Sequence, residues 1–213
     1  MLYYERKFRK KGYNLIIGVD EVGRGPLAGP VVAAAVTLKK LKFKNRIDDS
    51  KVLTAFQREN ACREIKDKAF FAIGIVNEKI IDKINILAAT ALSMQKAIAQ
   101  LLPAPDFVLV DGNVPLTIGI PFQNIIDGDA KSISIACASI VAKVTRDRIM
   151  SVYHKRWPLY GFLEHKGYGT PRHLEALRRI GPSPIHRLSF HPVKDYCECA
   201  GKIKMSLTGL RYE

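Results

Sequence analysis

The sequence predicts a three-layer α/β domain followed by a small helical C-terminal part. Three observations carry that prediction. Short apolar runs at Leu15–Val19, Val31–Leu38, Phe70–Val76, Phe107–Val110 and Pro121–Ile126 have the length of strands rather than helices. Longer segments with helical spacing interleave with the later runs. Beyond about residue 150 the chain is broken by Pro158, Gly161, Gly167, Pro171, Gly181 and Pro182, which leaves room for one helix near His173–Ile180. The expected division is a core with a basic N-terminal segment over 1–150, and a helical extension over 151–213 that packs on the core and contacts substrate.

Each element has its own warrant. Leu15–Val19 is a short apolar run holding one glycine, and Val31–Leu38 is rich in β-branched residues, so both read as buried strands. Gly-Arg-Gly-Pro-Leu-Ala-Gly-Pro at 23–30 is a dense turn segment between them. Thr54 is a helix cap ahead of Phe56, Glu59 and Ile65, and its helix runs to about Lys68. Asn85 to Leu102 is helical, with Leu87, Ala91, Met94 and Ile98 on one face and Pro103 and Pro105 as the stop. Ser132–Tyr153 is the longest helix, with Ile133, Cys137, Ile140 and Val144 on one stripe. Lys143 and Asp147 stand four apart on another face of it, able to pair.

Composition narrows the function. The 213 residues carry 34 Lys and Arg against 20 Asp and Glu, for a net charge of +14, with 47% apolar residues. That apolar content belongs to a globular chain rather than a disordered basic tail. No apolar run approaches the ~18 residues of a membrane span, and Met1 opens onto tyrosines and charges, so a soluble, cytoplasmic monomer of one domain with an appendage is expected. The surplus charge is uneven: residues 1–13 and 151–194 carry +4 and +6, while 14–150 hold 14 of the acids. Basic flanks around a near-neutral core attract a polyanion. Cys62, Cys137, Cys197 and Cys199 are too few and scattered for a disulfide scaffold, and no second Cys or His pair near Cys197 and Cys199 completes a zinc site. All five histidines fall between 154 and 191 without the spacing of a metal pair, and read as packing, capping or phosphate contacts.

Several acids stand where strands end. Asp20 and Glu21 close the first strand, Asp111 closes 107–110, and Asp127 or Asp129 follows 121–126. Neighbouring strand ends bring such carboxylates into one volume, where a hard divalent cation relieves their repulsion. Two ions about 4 Å apart can activate water and stabilise a leaving oxygen in phosphate displacement. Regular strand alternation, however, points Asp20 and Glu21 to opposite faces, so the chain must twist or Glu21 must reach round. Taken singly, an Asp before Gly at a strand end is a turn residue.

The series of motifs is similar to the ribonuclease HII family, the bacterial type 2 ribonucleases H. It runs Gly18-Val19-Asp20-Glu21-Val22-Gly23-Arg24-Gly25-Pro26-Leu27-Ala28-Gly29-Pro30, Asp49-Ser50-Lys51, Asn85-Ile86 with Ala89-Thr90, and Val110-Asp111-Gly112-Asn113. It continues through Gly128-Asp129-Ala130-Lys131-Ser132, Ser139 to Asp147, and His165-Lys166-Gly167-Tyr168-Gly169-Thr170. The resemblance implies a ribonuclease H-like mixed five-stranded sheet flanked by helices, and an endonuclease cutting RNA in RNA–DNA hybrids and 5′ of single ribonucleotides in duplex DNA. It implies a two-metal site of Mn²⁺ or Mg²⁺ on Asp20, Glu21, Asp111 and Asp129, with Asp127 as the turn residue, and products with 3′-hydroxyl and 5′-phosphate ends. Gly23, Arg24 and Gly25 match the family's junction reader, whose glycines let backbone approach a ribose 2′-hydroxyl. Tyr168 matches the tyrosine that packs on the following deoxyribose. Lys51, Asn113, Lys143 and Arg146 are substrate contacts, while Asp49 and Ser50 shape the site. Cys137 stands where many relatives have Ala, and the long N-terminal extension of ribonuclease HIII is absent. Residues 195–213 hold no clear docking peptide for a sliding clamp, which leaves that partner open. A non-enzymatic RNA- or ribosome-binding protein and a carboxylate-pair sugar hydrolase are the competing classes.

Overall fold

Five strands form one mixed sheet in the order β3–β2–β1–β4–β5: β1 (Ile16–Val22), β2 (Val31–Leu38), β3 (Ala69–Val76), β4 (Phe107–Asp111) and β5 (Phe122–Ile125). The computed structural model describes residues 1–196; Cys197, Cys199 and the rest of the tail lie outside the described residues. The first three strands are an antiparallel meander, and β4 and β5 join parallel to β1. Helices are α1 (Tyr3–Arg9), α2 (Ala55–Lys68), α3 (Glu78–Gln100), α4 (Gly128–Lys131), α5 (Ile133–Arg156), α6 (Phe162–His165) and α7 (Pro171–Ile180), with a 3₁₀ turn at Pro158–Tyr160. The chain divides into two compact units. Unit 1 is Met1–Arg24, Pro30–Val76 and Ile86–Arg146; unit 2 takes Gly25–Gly29, Asn77–Asn85 and the chain from Asp147 onward.

In unit 1 the period-two alternation of the strands sorts side chains to two sides of the sheet. Ile17, Val19, Ala33, Ala35, Val108 and Val110 pack with Met94, Ala97 and Ile98 of α3. Ala34 and Val36 face the other way, onto Ala61, Cys62 and Ile65 of α2 and Cys137, Ile140 and Val144 of α5. Cys137 is thus core filling, a fully buried thiol that burial makes harder to ionise. Two glycines allow the helices to lie this close. A Cβ at Gly18 would stand 2.2 Å from the backbone of Ser134 and Ile135 in α5, and one at Gly74 would stand 1.8 Å from the Ser93 carbonyl oxygen in α3.

The expected elements are present, with informative differences. β1 continues through Asp20 and Glu21 to Val22, because its ladder with β2 holds to Val22↔Val32. α2 starts after Thr54, whose side chain forms a capping box with Gln57. α3 begins at Glu78, earlier than the periodicity suggests, and is broken at Asn85, where φ is 66° and ψ 169°. Helix restarts at Ile86, which leaves Leu87 in a first turn, exposed, while Met94 and Ile98 are buried as expected. The short helices α1, α4 and α6 carry too few turns for a periodic signal.

Unit 2 packs Leu27, Ala28, Met150, Tyr160, Phe162, Leu177, Ile185 and Val193 into one core. Segment 25–29 lies there as a strip of bends with one bridge at Ala28: Leu27 N–H donates to Gly167 O, Arg187 N–H to Leu27 O, and Gly29 N–H to Ile185 O. Buried in the same unit are His165, His173 and His186. Burial, ahead of their mutual repulsion, pulls His173 down to about 4 and His186 to about 3 from the ordinary 6.5, so both rings are neutral.

Two predictions follow from these contacts. Gly18→Ala forces α5 off the sheet and should cost about 3 kcal/mol of stability, read as a shifted urea midpoint; an unshifted midpoint would mean the helix has room to move. The unfolded chain protonates its histidines near pH 6.5, so the stabilisation from neutral His173 and His186 is whole above that pH and drains away as the pH falls from 6.5 towards 4. The urea midpoint should therefore drop between about pH 7.5 and pH 5, with amide exchange across 160–187 rising first; a flat midpoint there contradicts the assignment.

Candidate active site

The parallel pairing of β1 with β4 builds the site. Its last register pair is Val19↔Val110, so Asp20 and Asp111 come next on adjacent strands. Asp20 shares the strand face of Ile16 and Gly18, towards α5, and Asp111 that of Leu109. Asp111 Oδ1 accepts the Gly128 N–H at 2.7 Å, which ties β4 to the first turn of α4. That turn carries Asp129, buried, whereas Asp127 sits exposed in a left-handed conformation at the helix start. The choice between Asp127 and Asp129 is therefore geometric: the turn places the former outside and the latter beside Asp111.

Charge ties the four acids together. Burial first, then the charges of Glu21 and Asp111, hold the Asp20 carboxyl well above its ordinary range, opposed by hydrogen bonds from Ser139 and the Glu21 N–H. Burial also raises Glu21, against the pull of Arg24 and with a push from Asp111. Asp129 is raised by burial and then by Asp111 and Asp49. Asp111 is thus the neighbour common to the other three. Glu21 meets the others in spite of strand alternation because β1 leaves β4 after Val19, so the strand end is open on that side. Its carboxylate also lies 3.5 Å from Arg24.

The remaining expected residues fall into two groups. Lys51 Nζ stands 3.6 Å from Asp129 and 3.7 Å from Asp49, and although partial burial opposes its charge, Asp129 and Asp49 lead the acids that hold its pKa above the usual value. Ser50 Oγ lies 2.9 Å from Ser139 Oγ, so Ser50 is linked to Asp20 through Ser139. Lys143 is half-buried one helical turn beyond Ser139. Asn113 is exposed after β4 and accepts from Asn124 at 3.2 Å. Gly25, in unit 2, has Tyr168 beside it: a Cβ there would be 3.6 Å from the Tyr168 ring, which is half exposed.

Arg146 is a correction. It is fully buried, and its Nε donates to Pro30 O at 3.0 Å, so the guanidinium braces the turn after Gly23 instead of meeting phosphate. Gly23 has φ +98°, and a Cβ there would come within 2.3 Å of Arg146 Nε. Sequence reading also missed Ser139, which holds Asp20, and Glu5, whose Oε1 accepts from Ser132 Oγ at 2.6 Å and Ser134 Oγ at 2.8 Å beside the Asp129 turn. A serine on a helix stripe and an acid in a basic segment carry no signal of such roles.

The donor set consists of carboxylate oxygens, the chemistry that suits a hard divalent cation, and their mutual repulsion is what such a cation relieves. Among the described residues, no three His, Cys, Asp or Glu side chains stand where together they could hold a metal ion. The acids share charge and face one region, with Lys51 supplying part of the neutralisation.

The mixed five-stranded sheet flanked by helices is of the ribonuclease H-like class. The solved ribonuclease H2 of Pyrococcus horikoshii OT3 superposes with a TM-score of 0.76 at 27% identity, over 89% of this chain and 100% of that one. The fold is shared too with Archaeoglobus fulgidus RNase HII, solved in complex with PCNA, at TM-score 0.70 and 24% identity over 83% and 95%. A family model described as Ribonuclease HII matches residues 17–193. The Ribonuclease HII of Acetivibrio thermocellus is 53% identical over 191 residues, 89% of this chain and 75% of that protein, and the one from Geobacter sulfurreducens is 48% identical over 91% and 89%. The chain belongs to the ribonuclease HII family. It is a type 2 ribonuclease H, a divalent-metal-dependent endonuclease acting on RNA–DNA hybrids. Among the described residues, no helix is long and apolar enough to cross a membrane.

Asp111→Asn keeps an acceptor for the Gly128 N–H while removing the charge common to the other acids. Without metal the variant should be more stable by on the order of 1 kcal/mol, read by thermal unfolding in chelator. Its calorimetric Mn²⁺ titration should lose most of the heat; unaltered titration would remove Asp111 from the donor set.

Proposed function

We propose that Asp20, Glu21, Asp111 and Asp129 hold two Mg²⁺ or Mn²⁺ ions, and that the enzyme nicks duplex DNA on the 5′ side of an embedded ribonucleotide as well as cutting hybrids. The observation that carries the reading is the β1–β4 pairing, which sets Asp20 beside Asp111, with Asp129 on the turn tied to Asp111 through the Gly128 N–H; burial first, and the charge of Asp111 after it, raises Asp20, Glu21 and Asp129. Divalent ions held by these carboxylates would supply activation of a water and stabilisation of the departing 3′ oxygen. The chain's own groups supply the rest. Ser139 and the Glu21 N–H fix the Asp20 carboxylate, and the Gly128 N–H fixes that of Asp111. Lys51 keeps its charge and is suited to a substrate phosphate, with Lys143 and Asn113 as further contacts. Gly23, Arg24 and Gly25 read the ribose 2′-hydroxyl, with Arg24 and Gly25 exposed, and Tyr168 packs on the sugar that follows. The basic residues of 1–13 add affinity for the duplex without selecting sequence.

A duplex with one ribonucleotide should be cut on its 5′ side when Mg²⁺ or Mn²⁺ is added, leaving 3′-hydroxyl and 5′-phosphate ends on a sequencing gel. An intact duplex under both metals overturns the junction reading. Asp20→Asn should lower turnover by at least about 10³-fold with duplex binding retained.

A further inference from the structure

Three buried imidazoles in unit 2 have no part in the chemistry above, and their hydrogen bonds have a direction. Ser183 N–H donates to His186 Nδ1 at 2.8 Å, so that nitrogen is an acceptor and the ring proton is on Nε2. His186 Nε2 then donates to His173 Nε2 at 2.9 Å, which puts the His173 proton on Nδ1. His173 Nδ1 donates in turn to the carbonyl oxygen of Tyr168 at 2.9 Å. The third ring, His165, stacks on His173 with centroids 4.4 Å apart, accepts the Gly167 N–H at 3.2 Å and donates to Tyr160 O at 2.7 Å. Only a neutral imidazole offers one donor and one acceptor at opposite edges of a flat ring, so neither an aliphatic nor a phenyl side chain could carry this chain of bonds.

Both ends of the relay attach to the same recognition surface. The backbone of His186 forms a bridge with Ala28, in the strip that begins at Gly25. The loop at the other end is joined to that strip by the Leu27 N–H to Gly167 O bond. Within this frame the Tyr168 ring stands beside Gly25. We propose that His186 and His173 are positioning residues that set Tyr168 against Gly25 and thereby set the enzyme's preference for a single embedded ribonucleotide. The proposal rests on the junction-reading role given above to Gly25 and Tyr168.

The test compares two polar replacements of one ring. In His173→Asn the amide nitrogen occupies the Nδ1 position and keeps the bond to Tyr168 O; in His173→Gln it lies further out, near Nε2, and that bond is lost. Steady-state kinetics are measured on a singly ribo-substituted duplex and on an RNA–DNA hybrid, together with amide exchange of residues 166–170. The glutamine variant should raise KM for the single-ribonucleotide duplex roughly tenfold, with kcat and hybrid cleavage near wild type and faster exchange in the loop. The asparagine variant keeps the bond to Tyr168 O but loses the one from His186, and should fall between the glutamine variant and wild type in all three. Equal losses in both variants, or losses shared by both substrates, mean that the rings only fill space and overturn the proposal. If His173→Gln does not fold, His186→Asn keeps the Ser183 bond, breaks the link to His173 and should reproduce the same split. Wild-type protein that cuts hybrid but not the single-ribonucleotide duplex sinks the junction reading itself; exchange in the loop then decides the strut separately, and unchanged exchange overturns it.

Discussion

Everything in the catalytic region depends on the parallel pairing of β1 with β4. That pairing puts two carboxylates side by side at the sheet's end, where like charges repel and burial penalises the charge of Asp20. No fold would keep such an arrangement for stability alone, since a buried charge without a partner costs several kcal/mol. The surrounding structure makes it tolerable by small means. Backbone N–H groups of Glu21 and Gly128, the hydroxyl of Ser139 and the ammonium of Lys51 each take part of the charge. None of them cancels it, and the residue of unrelieved repulsion is the free energy available to cation binding.

The rest of unit 1 holds that geometry still. β2 is fully buried along most of its length and carries Ala and Val on both faces, so helices approach the sheet closely from each side. The turn that follows the first acids is held just as firmly. In unit 1 the buried guanidinium of Arg146 donates to Pro30 O, and in unit 2 that of Arg187 donates twice to Gly29 O. Burying a guanidinium is costly unless its donors are used, and here they are spent on consecutive carbonyls of one turn. The loop is held in place in this way.

Much of this was legible in the sequence, for physical reasons that differ by residue. Strands such as Val31–Leu38 announce themselves because a buried strand is a short apolar run, and Thr54 because a helix start needs an acceptor. Asp20 and Asp111 stood out as acids after apolar runs. What stayed hidden was whatever depends on a partner distant in sequence. Arg146 looked like a phosphate contact because charge alone does not say whether a side chain points out or in. Arg187, Ser139 and Glu5 gave no signal, since their partners are backbone groups or hydroxyls more than 100 positions away or on another element. The break at Asn85 escaped as well, because a single residue with positive φ leaves the flanking periodicity intact.

The partition of the chain has a consequence for how this enzyme can vary. The polypeptide passes between the two units after Arg24, Gly29, Val76, Asn85 and Arg146. Neither unit is a single contiguous stretch, so neither can be lifted out as a cassette or exchanged by one recombination event. Residues 25–29 belong to the second unit but are encoded four to eight codons after Glu21. Segments of the two units are therefore inherited together, and new properties must arise by substitution within both units rather than by shuffling one against the other.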